Sequence, residues 1–245
     1  MVDPPGTVAN RLFVFLPGTG GPPGGYRHIL RNAAAGGYHA LGLAYRNEVA
    51  VNDLCTVAEH GCHAAVREEI LTGEDLSPLV EVGRADSIEH RLSAALVHLG
   101  WEQYLDGDAL RWSDIAVAGH SQGGGHAAFI ASLHEVHRAS LFAASEPADW
   151  TGEALATPAA RIYGFIHVDD PYYASMTSSW ERLGIPGALV DVDGLAWPFE
   201  DSHRLQTTFA VSAEDAHGAV AADPRTPMDG DLPVYRDVWC AVIGP

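Results

Sequence analysis

Short apolar runs alternate along the chain with stretches of helical composition. The first run, RLFVFL at residues 11–16, ends at a Pro-Gly turn, which is typical of a strand buried on both faces. Residues 26–35 have helical composition, and a second apolar run, YHALGLAY, follows at 38–45. A strand, a crossover helix and a second strand form the unit from which parallel sheets are built. The beginning of the chain therefore predicts a right-handed β-α-β unit.

Further apolar runs continue the alternation to the end of the chain. Strands are predicted at residues 115–118, 139–144 and 161–167. Helices are predicted at residues 63–71, 87–104, 125–134, 172–183 and 234–243. Two later runs compete for the position of the last strand: ALVDVDG at 188–194 and RLQTTFAV at 204–211.

The regular alternation of strands and helices indicates the fold class, since it is typical of α/β proteins. No fixed-period repeat or linker divides the chain, so we expect one domain over residues 1–245. Its predicted architecture is three-layered and doubly wound, with a mostly parallel sheet flanked by helices. The stretch 47–83 is polar and rich in turns, and we expect it to be an excursion from the sheet.

Composition limits the partners of the protein. The 245 residues include 32 acidic and 14 basic ones, which gives a formal net charge of −18. Such a surface repels phosphate backbones and anionic bilayers, so we expect neither nucleic acid nor a membrane as a partner. No apolar run approaches the length of a membrane span, and we expect no signal peptide from the first residues.

Two cysteines, Cys55 and Cys62, flank a short polar segment. Their spacing would allow a disulfide in an oxidising compartment. Zinc held by these cysteines with His60 and His63 is the alternative, but the ligands are crowded and no second pair stands at zinc-finger spacing. We therefore predict no metal site. A secreted or periplasmic protein is expected if the disulfide forms and a signal peptide has been removed, and a cytoplasmic one otherwise.

A serine flanked by glycines stands between a predicted strand and a predicted helix. The segment GHSQGGG places Ser121 between Gly119 and Gly123. A serine on a sharp strand-to-helix turn is strained, its hydroxyl points away from the sheet, and its neighbours two positions away must lack Cβ atoms. The same turn places the N–H of Gln122 at a helix N-terminus, where it stabilises an oxyanion. The pattern predicts a nucleophilic serine, against the alternative of a Gly-rich turn with an incidental one.

With this motif the chain resembles the α/β-hydrolase superfamily, and more narrowly its bacterial serine carboxylesterases. These include lipases, cutinase-like polyesterases and dienelactone-hydrolase-like enzymes, and the similarity runs over residues 12–239 with GHSQGGG as its most specific element. The segment LPGTGG at 16–21, called the oxyanion loop below, is similar to the loop that completes the oxyanion hole in that group. The resemblance implies that Thr19 supplies the second oxyanion N–H, with Gly20 as the alternative and Gly18 giving the backbone room to approach.

The resemblance also implies that nucleophile, acid and base follow in that order along the chain. The acid is expected after a strand beyond Ser121, and the run at 161–167 is followed closely by Asp169 and Asp170. A carboxylate there would orient an imidazole and stabilise its cation. We predict Asp170 as the acid, with Asp169 and, one strand earlier, Glu146 as alternatives.

Two histidines beyond the acid fit the position of the base. His203 follows ALVDVDG and His217 follows RLQTTFAV, so the choice depends on which run is the last strand. We predict His217, because it lies closer to the closing helix and its neighbours Ala216 and Gly218 are small. His203 is the rival base.

These residues together predict a serine hydrolase that cleaves carboxylic esters through an acyl-enzyme and needs no cofactor. The expected substrates are small-molecule or polymeric esters. Aromatic residues after predicted strands are candidates for a wall of the cleft, although core packing is favoured for Trp180: Tyr172, Tyr173, Trp180 and Trp197. The alternatives are another acyl transfer on the same triad, such as thioester or amide cleavage, and a hydrolase-like binding protein without catalysis.

Overall fold

Seven parallel strands form the centre of the structure, a computed structural model that describes residues 10–55, 60–144 and 148–244. In chain order the strands are β1 Leu12–Leu16, β2 His39–Gly42, β3 Leu105–Asp106, β4 Ala109–Leu110, β5 Ile115–His120, β6 Arg138–Phe142, β7 Ile162–His167, β8 Leu189–Asp191, β9 Arg204–Thr207, β10 Met228–Asp229 and β11 Leu232–Pro233. The large sheet has the order β2-β1-β5-β6-β7-β9-β8. The two remaining pairs, β3 with β4 and β10 with β11, are short antiparallel hairpins.

Helices cover both faces of this sheet. They are α1 Arg27–Ala35, α2 Val51–Leu54, α3 Cys62–Thr72, α4 Ile88–Leu99, α5 Gln122–Leu133, α6 Tyr173–Arg182, α7 Ala216–Ala219 and α8 Arg236–Ile243. Helices α1 and α8 pack against each other, and α3 packs against both α4 and α5. Because both faces are covered, every residue of β1, β5 and β7 is buried, which explains their continuous apolar runs. The predicted three-layer α/β fold is confirmed.

Helix boundaries differ from the prediction where local interactions override composition. Helix α5 begins three residues earlier than predicted, because the three glycines after Gln122 are part of the helix, where they lie against Leu16, Ala144 and Arg67. Helix α4 ends at Leu99 because Gly100 adopts a positive φ of 73°, and Ser87 caps its start by accepting a hydrogen bond from the N–H of His90.

The two runs that competed for the last strand both enter the sheet, but not in chain order. Strand β9 lies between β7 and β8, so the later run is the neighbour of β7 and the earlier run forms the edge. The residues that follow β9 therefore leave the sheet beside those that follow β7.

The polar excursion contains two helices, α2 and α3, where the sequence predicted one. A disulfide between Cys55 and Cys62 joins α2 to the start of α3, and such bonds are typical of oxidising compartments. Among the described residues no group of three His, Cys, Asp or Glu side chains is arranged to hold a metal ion. In the same part of the chain no helix combines the length and apolar character needed to cross a bilayer.

The strand order reverses at β1, which has β2 on one side and β5 on the other. The loops after β1 and β5 consequently leave the carboxyl edge of the sheet in different directions and open a crevice. Ligands of open α/β sheets bind at such a switch point.

Candidate active site

The chain passes from β5 into α5 through a single residue, Ser121. This serine has φ 52° and ψ −120°, a conformation that a residue with a side chain rarely adopts. A Cβ atom at Gly119 would overlap the backbone of Gly123, and one at Gly123 would overlap the carbonyl group of Leu16. The strained turn expected from the sequence is therefore present, and both flanking glycines are sterically required.

An open cavity of about 500 Å³ lies over this turn. It brings together residues that the sequence singled out from four separate segments: Thr19, Ser121, Gln122, Tyr172 and His217. Ser121 is partly exposed to it.

His217 lines this cavity, and the buried Asp170 contacts its imidazole. The side chain of Asp170 is completely shielded from solvent, and its Oδ2 accepts a hydrogen bond of 2.8 Å from Nδ1 of His217. Its Oδ1 accepts a second bond of 2.8 Å from the N–H of Tyr172, so both carboxylate oxygens are held. Within the described residues no hydrogen bond joins Oγ of Ser121 to the imidazole. Ser121 and His217 thus line one cavity, and the buried aspartate is in direct contact with the histidine.

Asp169, the first alternative acid, does not contact this imidazole. Asp169 is exposed, and the nearest imidazole to its carboxylate is that of His167, whose Nδ1 lies 3.9 Å away. Glu146 falls outside the described residues.

His203, the rival base, lies at the opposite edge of the sheet. It directly precedes β9, its ring stacks on that of Tyr163 with centroids 3.8 Å apart, and its Nδ1 bonds to the carbonyl oxygen of Ile162. Ile162 is the first residue of β7, and parallel strands all begin at the same edge. The structure therefore brings His217 to Ser121 and leaves His203 at the amino edge. His217 lies on the short helix α7, between the small residues Ala216 and Gly218.

The backbone N–H groups of the oxyanion loop separate Thr19 from Gly20. The N–H of Gly20 donates to the backbone carbonyl oxygen of Asn47, in the segment after β2, at 2.8 Å. The N–H groups of Thr19 and Gln122 have no acceptor among the described residues, and both residues line the cavity. In addition, Oγ1 of Thr19 donates to Oε1 of Gln122 at 3.0 Å, which links the two segments.

Asn47 is a site residue that the sequence did not single out. Its Nδ2 donates to the carbonyl oxygens of Gly18 and Gly21 at 2.7 and 3.0 Å, and its own carbonyl group holds Gly20. Asn47 therefore clamps the oxyanion loop. The only sequence signal was its place shortly after the second strand, at the carboxyl edge.

Arg67 was also missed. It lies on α3, is 1% exposed, lines the cavity, and donates from Nη1 to the carbonyl oxygen of Gln122 at 3.3 Å. Nothing in the sequence around Arg67 indicates that its side chain is buried, unlike the exposed arginines elsewhere in the chain.

The candidate aromatic residues have different positions. Tyr172 is 57% exposed at the cavity mouth, with its ring edge-on to that of His217. Tyr173 donates its hydroxyl to Gln206, and Trp180 is fully buried in the core. The expectation for Trp197 was wrong, because this residue lines a separate cavity at the amino edge. It follows β8, and the chain must return to that edge before it can begin the parallel strand β9.

His120, the residue before Ser121, also lines the cavity. Its ring centroid is 4.9 Å from that of His217, and it bonds to Tyr26 and to the backbone of His217. Burial first, and the nearby His217 second, lower the pKa of His120 to about 3. The imidazole of His120 is therefore neutral wherever the protein is folded near neutral pH.

Fold and site together define a three-layer α/β protein with a serine, a histidine and an aspartate gathered at its topological switch point. No protein-family model matches the chain, and no curated protein matches it. The chemistry of the site must therefore be inferred from its geometry.

Proposed function

We propose that this protein is a serine hydrolase of the α/β-hydrolase superfamily that cleaves carboxylic esters. Ser121 is the nucleophile, His217 the base and Asp170 the acid. The observation that carries the proposal is the 2.8 Å bond to the buried Asp170 from His217, which lines the same cavity as Ser121. A buried carboxylate on Nδ1 orients an imidazole and stabilises its cation, and it leaves Nε2 to exchange protons with a hydroxyl.

In the proposed reaction, Nε2 of His217 takes the proton of Ser121 as Oγ attacks the carbonyl carbon of the ester. The carbonyl oxygen becomes an oxyanion, which the N–H groups of Thr19 and Gln122 bind. When the tetrahedral intermediate collapses, the imidazolium gives its proton to the departing alcohol. Water, deprotonated by His217, then cleaves the acyl-enzyme and restores Ser121.

Two features of the site support this chemistry. The strained turn presents Ser121 to the cavity, as a nucleophile requires. The N–H groups of Thr19 and Gln122 are available, and each such donor contributes about 3 kcal/mol to catalysis in comparable sites. We expect a hydrogen bond between Oγ of Ser121 and Nε2 of His217 to form when substrate binds, since catalytic hydrogen bonds are often long or poorly aligned beforehand.

The cavity favours esters with short acyl groups or polymeric esters. Its volume of about 500 Å³ is modest, it is open to solvent, and its wall mixes polar groups with Tyr172 and Met176. An exposed aromatic ring at the mouth suits an aryl group or one unit of a polymer.

Labelling of the serine tests the proposal. A fluorophosphonate probe should modify Ser121 in the intact protein and not in Ser121→Ala, with the adduct located by mass spectrometry. Hydrolysis of para-nitrophenyl esters of graded length should then be fastest for short acyl groups. Absence of the adduct would indicate a binding protein instead, and turnover of thioesters or amides without esters would indicate a different acyl transfer.

The two histidines provide a matched pair for the base. His217→Ala should lower kcat/KM by about 10⁴-fold or more, whereas His203→Ala should leave it within about twofold, because only the first ring reaches the cavity. The reverse result would overturn the assignment of the base.

A further inference from the structure

A chain of hydrogen bonds runs behind the nucleophile, from the oxyanion loop to the residue that carries the base. The N–H of Gly18 is 3.1 Å from Oη of Tyr26, and this oxygen is 3.0 Å from Nδ1 of His120. At the far end, Nε2 of His120 is 2.8 Å from the carbonyl oxygen of His217. We propose that Tyr26 and His120 are positioning residues, which hold the oxyanion loop and His217 in register with Ser121. The inference rests on the proposed function.

The donor and acceptor at each bond follow from chemistry. A carbonyl oxygen only accepts, so the proton of His120 is on Nε2, which donates to His217. His120 is neutral, since burial holds its pKa near 3, and its Nδ1 must therefore accept from the hydroxyl of Tyr26. Burial raises the pKa of Tyr26, which keeps that hydroxyl protonated, and its oxygen accepts from the N–H of Gly18. The three hydrogen bonds therefore all run in one direction, from the N–H of Gly18 to the carbonyl oxygen of His217.

This chain connects groups that must be placed accurately for catalysis. Gly18 directly precedes Thr19, whose N–H is the proposed oxyanion donor. The carbonyl group held by His120 belongs to His217 itself, so the chain fixes the backbone from which the base projects. A Cβ atom at position 18 would lie only 2.9 Å from Nδ1 of His120, which shows how closely the ring supports the loop.

A second connection joins the same two regions. The carboxylate of Asp223, a few residues beyond α7, accepts hydrogen bonds of 2.8 and 3.0 Å from the N–H groups of Arg27 and His28. These are the first N–H groups of α1, directly after Tyr26. The segment that carries the base is therefore docked onto the segment that carries Tyr26, and the Tyr26 hydroxyl is the part of this contact that reaches the active site.

Tyr26→Phe removes the hydroxyl and leaves the ring, which packs against Phe15 with centroids 4.7 Å apart. The N–H of Gly18 and Nδ1 of His120 lose their partner together, so the loop and the base are free to shift relative to Ser121. Displacements of about 1 Å cost up to about 100-fold in rate. We expect kcat on a para-nitrophenyl ester to fall by about 10- to 100-fold, with KM within about twofold.

Tyr104 provides the matched control. It is equally buried, and its hydroxyl bonds to Nδ1 of His39 at 2.7 Å, but this pair lies near the start of β2 at the amino edge. Tyr104→Phe removes the same kind of bond at a distance from the site. We expect a comparable loss in Tm and a kcat within about twofold of the wild type.

Affinity for phenylboronic acid separates positioning from a general loss of folded protein. Boronic acids form a tetrahedral adduct with a catalytic serine and so report on transition-state complementarity. The Kd for this compound should rise in Tyr26→Phe by the same factor as kcat/KM falls. In Tyr104→Phe the Kd should not change.

Two substitutions of His120 test each end of the chain. Asparagine keeps an acceptor for Tyr26 but is too short to reach His217, and glutamine keeps a donor for His217 but loses the acceptor. If the chain acts as a unit, both variants lose activity to a similar extent. Tyr26→Phe combined with His120→Gln should then be no worse than the more impaired single variant.

The outcomes distinguish this inference from the proposed function. Wild-type protein that neither hydrolyses esters nor reacts with the fluorophosphonate would overturn both. Active wild-type protein in which Tyr26→Phe and Tyr104→Phe have equal kcat/KM and equal boronate affinity would overturn only the positioning role. If Tyr26→Phe does not fold, His120→Gln carries the test, and its full activity would overturn the role in the same way.

Discussion

Replacement of Asp170 by asparagine tests the site at the contact on which the proposed function depends. Oδ1 of Asp170 accepts from the backbone N–H of Tyr172, so the amide oxygen should keep that position. The amide nitrogen then replaces Oδ2 opposite Nδ1 of His217 and can only donate. This forces the imidazole proton onto Nε2, where the ring can no longer accept the proton of Ser121.

The expected loss can be worked out from the observed contact. In the transition state the carboxylate faces an imidazolium, with Nδ1 and Oδ2 2.8 Å apart. At an effective dielectric constant of about 20, two unit charges at that separation attract each other by about 6 kcal/mol. Loss of this attraction corresponds to about 10⁴-fold in rate, which agrees with the effect of the same substitution in other triads.

The neighbouring Asp169 is the control, because it carries the same charge but is exposed and does not contact His217. Both asparagine variants should keep the Tm of the wild type within a few degrees. The steady-state rate of para-nitrophenyl acetate hydrolysis and the rate of fluorophosphonate labelling should both fall about 10⁴-fold in Asp170→Asn. In Asp169→Asn both rates should stay within twofold of those of the wild type. Asp170 is not the acid of the triad if Asp170→Asn keeps a tenth of the wild-type kcat, or if the kcat of Asp169→Asn falls as far as that of Asp170→Asn.

Three further results are expected. Gly123→Ala should destabilise the fold by about 2–3 kcal/mol, because the added methyl group would overlap β1, and the Tm should fall by roughly 5–10 °C. Gly24→Ala is the control and should leave the stability unchanged, because no described atom lies within 4 Å of a methyl group added there. Joint replacement of Cys55 and Cys62 by serine should cost about 2.5 kcal/mol in urea unfolding and raise KM with little change in kcat, because α2 lines the cavity. The pKa of His120 is near 6.5 in the unfolded chain and about 3 in the folded protein. The free energy of unfolding should therefore fall as the pH is lowered from about 6.5 to about 3. His120→Asn should make the free energy of unfolding less dependent on pH in this range, by up to about 1.4 kcal/mol per pH unit. An unchanged pH dependence would show that His120 is not held neutral by burial.

The parts of the site that could be predicted are local in sequence. Ser121, its flanking glycines and the N–H of Gln122 belong to one strand-turn-helix segment, and the clash that requires glycine at position 119 is with the nearby Gly123. Asp170 follows its strand directly, so its place at the carboxyl edge of the sheet was also visible.

The supporting contacts could not be predicted, because they join segments far apart in the chain. Tyr26 and His120 are separated by 94 residues, and Asn47 lies 29 residues from Gly18, one of the glycines that it holds. The position of Trp197 could not be predicted for the same reason. Its neighbours in sequence indicated the active-site edge, but the path that the chain takes between two strands carried it to the other.

By itself, the sequence determined the alternation of strands and helices, the strained serine and the carboxylate after β7. Only the tertiary structure decided which histidine lies beside them. Both competing runs form strands, but β9 is inserted between β7 and β8, so His217 leaves the sheet next to Asp170 while His203 precedes the same strand at the opposite edge. The order of strands in a sheet depends on packing between distant segments, and no local pattern of apolar residues records it.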